Sequence, residues 1–132
     1  MAISSRTILD QELKQLKDNI IRLASAATES IEKAMNALQT RNIAEAHNVV
    51  SSDDALNQLR YAIEQQALLI LATQAPTASD LRAVIAAIHL AVELERIGDH
   101  AAGIARLVER LEAEEQIDTF HKLPKMARRA SE

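Results

Sequence analysis

Glu95 and Asp99 occupy positions where a helical stripe calls for leucine or valine. The run from Leu81 places apolar residues at Leu81, Ile85, Ile88 and Val92, in alternating steps of four and three. The next two steps land on Glu95 and Asp99, and the stripe resumes at Ala102. On a helix such positions form one seam facing a neighbouring helix. Two carboxylates one turn apart are therefore expected to point into an interface. Burying an ionised carboxylate costs several kcal/mol unless a cation pairs with it or is coordinated by it. Cation binding is the first chemistry these residues suggest.

A hairpin turning near residues 73–78 sets Asp53 opposite Asp99 and Asn57 opposite Glu95. Asp53 also falls on the seam of its own segment, between Val49 and Leu56. Two polar pairs, Asp53-x-x-x-Asn57 and Glu95-x-x-x-Asp99, thus meet at one height. The i, i+4 spacing stacks each pair on one helix face. Three carboxylates and an amide make an all-oxygen donor set, which suits hard cations: Mg²⁺, Mn²⁺ or iron, with Ca²⁺ as a further option. Zinc would more often recruit His or Cys. An earlier turn near residues 41–43 brings residues 27–31 beside this layer. The small residues Ala24-Ser25-Ala26-Ala27-Thr28 leave room there for an ion and its waters, and Glu29 is at the right height but off the seam. The competing expectation is a metal-free ion-pair network neutralised by Arg60, Arg96 or His100.

Other chemistries find less support. A ferritin-like di-metal enzyme needs Glu-x-x-His pairs. The residues three before His47, His89, His100 and His121 are Ala44, Ala86, Ile97 and Asp118, so no such pair exists. His47, His89 and His121 read as surface residues, and His100 as a neighbour of the acidic layer. Ser4, Ser5, Ser51 and Ser52 lack the His and acid partners of a nucleophile. Arg82 and Arg96 read as members of local ion pairs on a solvated face. No enzyme is expected.

The elements that position the acids follow from composition. Gly 2 and Pro 2 in 132 residues mean few turns and long elements. Abundant alanine and aromatics at only 2% point to an all-α fold with a close-packed aliphatic core. The periodicity predicts helices over about Asp10–Thr40, Ile43–Ala72 and Thr77–Leu111, with Thr77 as N-cap and Asp80 completing a capping-box variant. Short connections make neighbours antiparallel. The expected fold is an up-down-up three-helix bundle over residues 1–115, spectrin-like in arrangement. Residues 116–132 read as a loose linker and the truncated start of a fourth helix, with Lys122, Lys125, Arg128 and Arg129 on its basic side. The formal charge of −4 argues against nucleic acid. Cys 0 excludes disulfides and thiolate metal sites and fits a reducing compartment. Met1 to Thr7 lacks the apolar core of a secretory signal, and no apolar stretch nears the roughly 20 residues of a membrane span. A cytoplasmic chain is expected.

At the acidic layer the sequence resembles the PhoU family of phosphate-uptake regulators. Ser79-Asp80-Leu81-Arg82, followed by Glu93-Leu94-Glu95-Arg96-Ile97-Gly98-Asp99-His100-Ala101, is similar to that family's third-helix signature. The Gln74-Ala75-Pro76 turn and the start from Asp10 to Leu16 match as well. The resemblance implies a PhoU-like bundle, with metal ligands at Asp53, Asn57, Glu95 and Asp99. Glu95-x-x-x-Asp99 fits the family's E/D-x-x-x-D motif outright. Asn57 stands where the family usually has Asp and brings no charge, which weakens the expected affinity. The resemblance also implies regulation through a phosphate ABC transporter and a sensor histidine kinase, with the membrane reached only through those partners. Family members typically carry two three-helix repeats. The expectation is therefore either a fragment or a single-repeat form that pairs with itself as a homo-oligomer. The alternative is a metal-free helical adaptor or oligomerisation module whose acids are structural.

Overall fold

The computed structural model describes the backbone of residues 5–131 and the side chains of residues 6–115. Three helices follow one another: α1 (Ser5–Thr40), α2 (Ile43–Gln74) and α3 (Ala78–Ser131). Each packs against both others, and among the described residues there is no strand, so the chain is an all-α bundle.

The two turns are tight because residues in them adopt the left-handed conformation, Arg41 in the first and Ala75 and Ala78 in the second. Arg41 (φ 56°) ends α1, and the Asn42 side chain then accepts a 3.1 Å hydrogen bond from the Glu45 amide to cap α2. Ala75 (φ 42°) terminates α2. Pro76, which is buried and has no N–H to donate, follows where no helix could continue. The first turn of α3 closes through the Thr77 carbonyl, which accepts from the Asp80 amide at 3.1 Å. The expected capping box is replaced by a longer reach, in which the Asp80 carboxylate pairs with Arg6 on α1.

These turns fix the registers. Asn19 donates to Gln66 at 3.0 Å and Asn36 donates to Glu45 at 2.7 Å, which sets α1 antiparallel to α2 as expected. Arg6 with Asp80 and Arg41 with Glu115 (2.8 Å) hold α1 and α3 parallel at one constant offset. His47 with Glu109 (2.6 Å) and Arg60 with Glu95 (3.8 Å) set α2 against α3. At the level between them Gly98 faces both Leu56 and Asp53, close to the expected register, and it is the long Arg60 side chain that reaches Glu95.

The core has two parts. One is built from large side chains, including Leu9, Leu16, Leu23, Leu56, Ile63, Ile70 and Val84. The other is built mainly from small ones: Ala34, Ala37, Ala46, Ala101 and Ala105, with Val49 and Val108. Fully burying a Leu or Ile contributes about 1.5–3 kcal/mol, so the first part carries most of the apolar stabilisation.

Two sequence expectations are corrected here. The innermost line of α3 is Val84, Ala87, Ala91, Gly98, Ala101, Ala105 and Val108, while Ile85 is 42% exposed. The stripe through Glu95 and Asp99 is the edge of the buried face. α3 touches two helices at once, so its buried face is wide, and alanines at its centre let the backbones approach. The helical backbone also does not stop near Leu111 but continues to Ser131. The segment Ala113-Glu114-Glu115-Gln116 carries two acids, yet all four residues are good helix formers, and charge alone does not break a helix. The expected boundary at residue 115 and the fourth-helix reading of 116–132, with its basic residues and His121, fall on side chains outside the described residues.

Candidate metal centre

The acidic residues lie at the junction of the two core parts. Asp53 sits between Val49 of the small-residue part and Leu56 of the large-residue part. Glu95, Gly98 and Asp99 sit between Ala91 and Ala101 in the same way. Gly98 is what lets α2 and α3 close at this level. A Cβ there would lie 2.7 Å from Leu56 Cδ1 and 3.7 Å from Asp53 Oδ1. A glycine inside a helix costs about 1 kcal/mol in propensity. Here it admits Leu56 and Asp53 from the facing helix.

Asp53 and Glu95 are half-buried, as is Asn57, one turn beyond Asp53 on α2; Asp99 is exposed. The expectation that Asp99 points inward therefore fails, because it rides on the edge of the buried face. The three carboxylates are nonetheless brought together. Burial pushes the Asp53 carboxyl above its ordinary range, the negative charge of Asp99 pushes it further, and Arg106 opposes both. Burial likewise raises Glu95, followed by the charge of Asp99; Arg60 pulls it back, and the close approach of the Asp99 carboxylate and the charge of Asp53 add to the rise. Like charges crowded in a partly dry place disfavour full ionisation.

Two atoms of the cluster are left short of partners. Asp53 Oδ1 and Arg60 Nε are buried without a hydrogen bond. Arg60 spans the site, with its Nη2 3.2 Å from Glu64 Oε1 and its Nε 3.8 Å from Glu95 Oε2. Its guanidinium also lies 4.9 Å from the centre of the Tyr61 ring. In donor chemistry the set fits a hard cation: oxygen only, net negative, and with an unpartnered Asp53 oxygen. Among the described residues, however, no three of His, Cys, Asp and Glu already converge at metal-binding spacing.

The neighbours of the site divide simply. Arg96 turns outward to Glu93 at 3.3 Å, the local pair its position predicts, while Arg60 is the cation that reaches the acids. Glu29 pairs with Lys33 at 2.7 Å on the exposed side of α1. His89 and His100 are exposed. His47 is more engaged than its sequence suggests, bridging α2 to Glu109 on α3. Gly98, Arg106 and Glu64 escaped the sequence reading. Gly98 carried a signal, because a helix interior in a chain with only two glycines keeps one for a reason.

The PhoU domain family model matches residues 20–108. The chain is 37% identical over 124 residues to a phosphate-specific transport system accessory protein PhoU homolog of Streptococcus pneumoniae serotype 4, covering 89% of this chain and 57% of that protein. It is 30% identical over 120 residues to a like-named homolog of Clostridium acetobutylicum, covering 90% of this chain and 55% of the other. The crystal structure of the phosphate transport system regulatory protein PhoU from Streptococcus pneumoniae superposes with a TM-score of 0.72 at 38% identity, over 76% of this chain and 47% of that one. The chain thus spans about half the length of the relatives it matches.

Proposed function

The chain belongs to the PhoU domain family, and from that premise we propose that it is an accessory regulator of phosphate uptake and signalling, non-catalytic and cytoplasmic. It works by protein contacts with a phosphate ABC transporter and its sensor kinase. The S. pneumoniae and C. acetobutylicum relatives, named as accessory proteins of the phosphate-specific transport system, support the transport half of this reading. No helix among the described residues is long and apolar enough to cross a membrane; in this reading the bilayer is reached through those partners. The chain acts as a homo-oligomer.

Within this reading Asp53, Glu95 and Asp99 hold a hard cation, iron, Mn²⁺ or Mg²⁺, with the Asn57 amide oxygen as a neutral fourth donor. The single observation that carries the metal reading is the crowding beside Asp99 of Asp53 and Glu95, two carboxylates whose ionisation the fold resists, the first with a buried unpartnered oxygen. When bound, the cation supplies positive charge that offsets this repulsion and ties α2 to α3. Arg60 and Arg106 do part of that work without it, by pairing with Glu95 and lying near Asp53.

The test has two arms. In cells lacking their own regulator of this kind, the chain should restore repression of a phosphate-starvation reporter, and failure to do so sinks the regulatory reading. Elemental analysis of the purified protein should find metal that Glu95→Ala/Asp99→Ala removes. A second reading, a metal-free adaptor, is favoured by the placement of Arg60. It predicts no bound metal, and greater stability when Glu95 and Asp99 are replaced by Leu without loss of repression.

A further inference from the structure

Steps of four, three and four along α2 from Asp53 place Asn57, Arg60 and Glu64 on one stripe, and all four are half-buried. A positive charge is thus built into the same row as the oxygen donors. Arg60 holds its neighbours unequally. Its Nη2 lies 3.2 Å from Glu64 Oε1 on its own helix, and its guanidinium carbon lies 4.9 Å from the centre of the Tyr61 ring. Toward α3 it offers Nε, which lies 3.8 Å from Glu95 Oε2 and makes no hydrogen bond. At that separation the contact with Glu95 is an attraction between charges only.

The side chains of Arg60, Glu64 and Glu95 are 22%, 22% and 16% exposed, so water screens these charges incompletely. Among the described residues Arg60 is the only cation paired with Glu95, yet Glu64 and Tyr61 hold it in place. The guanidinium can therefore give up Glu95 while keeping its other two contacts. A carboxylate that faces a guanidinium is also less available to a second cation, because the two positive charges repel.

We propose that Arg60 is a tethered competitor for the cation site. It neutralises Glu95 while the site is free, and it withdraws onto Glu64 and Tyr61 when Glu95 turns to a hard cation. This rests on the metal reading above and goes beyond it by assigning the affinity of the site to a residue that is not a ligand. The ion-pair network and the metal centre become two states of one cluster. Tyr61 reports the exchange, because it is the only tyrosine of a chain without tryptophan and its ring lies against the guanidinium.

Mn²⁺ binding to the full chain, read from the electron paramagnetic resonance of the free ion, tests the proposal. Arg60→Gln should bind at least about tenfold more tightly than wild type, the scale of removing one like charge beside a bound cation. Arg60→Lys keeps the charge and should stay within about threefold of wild type. Tyrosine emission of wild type should change at Mg²⁺ concentrations that displace Mn²⁺, and Arg60→Gln should lack that change. The wild-type emission needs no variant, so the test stands even if Arg60→Gln fails to fold. Mn²⁺ bound by Arg60→Gln but not by wild type would be the strongest support. Equal affinity in wild type and Arg60→Gln, equal tightening in both variants, or an unmoved wild-type emission overturns the role of Arg60 and leaves the metal reading standing. No Mn²⁺ on either wild type or Arg60→Gln overturns both.

Discussion

At the scale of single residues, the two glycines make opposite predictions. Nothing lies within 4 Å of a Cβ built on Gly103, whereas one on Gly98 meets Leu56 Cδ1 at 2.7 Å. Gly103→Ala should therefore stabilise by about 1 kcal/mol, the full helix-propensity gain. Gly98→Ala should destabilise by about 1 kcal/mol, because Leu56 is only 3% exposed and overpacking its pocket outweighs that gain. Urea melts of the two variants decide the matter, and equal shifts would refute the close approach of α2 and α3. The carboxylates give a pH prediction. Asp53 and Glu95 are both raised, so the folded state binds more protons than the unfolded one above the ordinary carboxylate range near pH 4. The penalty is absent in acid and fully present above the raised values, so these groups cost stability as pH rises. Asp53→Asn and Glu95→Gln should each stabilise the metal-free protein at pH 7 and leave it nearly unchanged at about pH 2.5, below both states' titration. The same gain at both values would mean that charge is not the cause.

At the scale of elements, the helices are held at their ends by a few specific groups. Asn42→Ala should cost about 1 kcal/mol by removing the cap on the Glu45 amide. Ala75→Gly should raise stability by about 0.5 kcal/mol, since a left-handed alanine is strained and a glycine is not, less glycine's larger entropy loss on folding. Thermal melts of both variants check this, and a destabilised Ala75→Gly would place the strain elsewhere. The helices and the first turn were legible because hydrophobic period and scarce punctuation are local signals. The rotation of α3 was not. Sequence shows where large apolar residues fall, and Leu81, Ile85, Ile88 and Val92 make a convincing stripe. Packing against two helices, however, put Val84, Ala87 and Ala91 at the centre and left Ile85 outside. Asp53 lies near Glu95 and Asp99, as the short turn between α2 and α3 implies. At Glu95 the long Arg60 side chain, less than a turn beyond Asn57, makes the contact, which no seam count foresees. Register along a helix pair depends on how the turn is closed, and Ala75 and Ala78 both adopt left-handed backbone that no residue type announced.

At the scale of the molecule, the division of the core makes the bundle uneven. The part around Leu16, Leu23, Leu56, Ile63 and Ile70 buries long side chains, while the part around Ala34, Ala46, Ala101 and Ala105 buries mostly single methyl groups. Apolar stabilisation scales with buried area at about 25 cal/mol per Å², so the alanine-rich end has less to lose on opening. Local opening free energies should follow that gradient. Native-state hydrogen exchange should show amides of residues 34–50 and 100–108 exchanging through a cheaper opening than those of residues 54–70 and 84–94. The acids lie between these parts, on α2 at Asp53 and on α3 at Glu95 and Asp99. A cation held there would link the weak end to the strong one, and at a hundredfold excess over its dissociation constant it would add about 2.7 kcal/mol to any opening that breaks the site. Adding Mn²⁺ should therefore slow exchange chiefly in the alanine-rich end, and Glu95→Ala/Asp99→Ala should abolish that protection while keeping the metal-free gradient. Uniform exchange along the three helices would refute the gradient. A gradient that Mn²⁺, iron and Mg²⁺ all leave unchanged would instead assign the acids to the ion-pair network with Arg60 and Arg106.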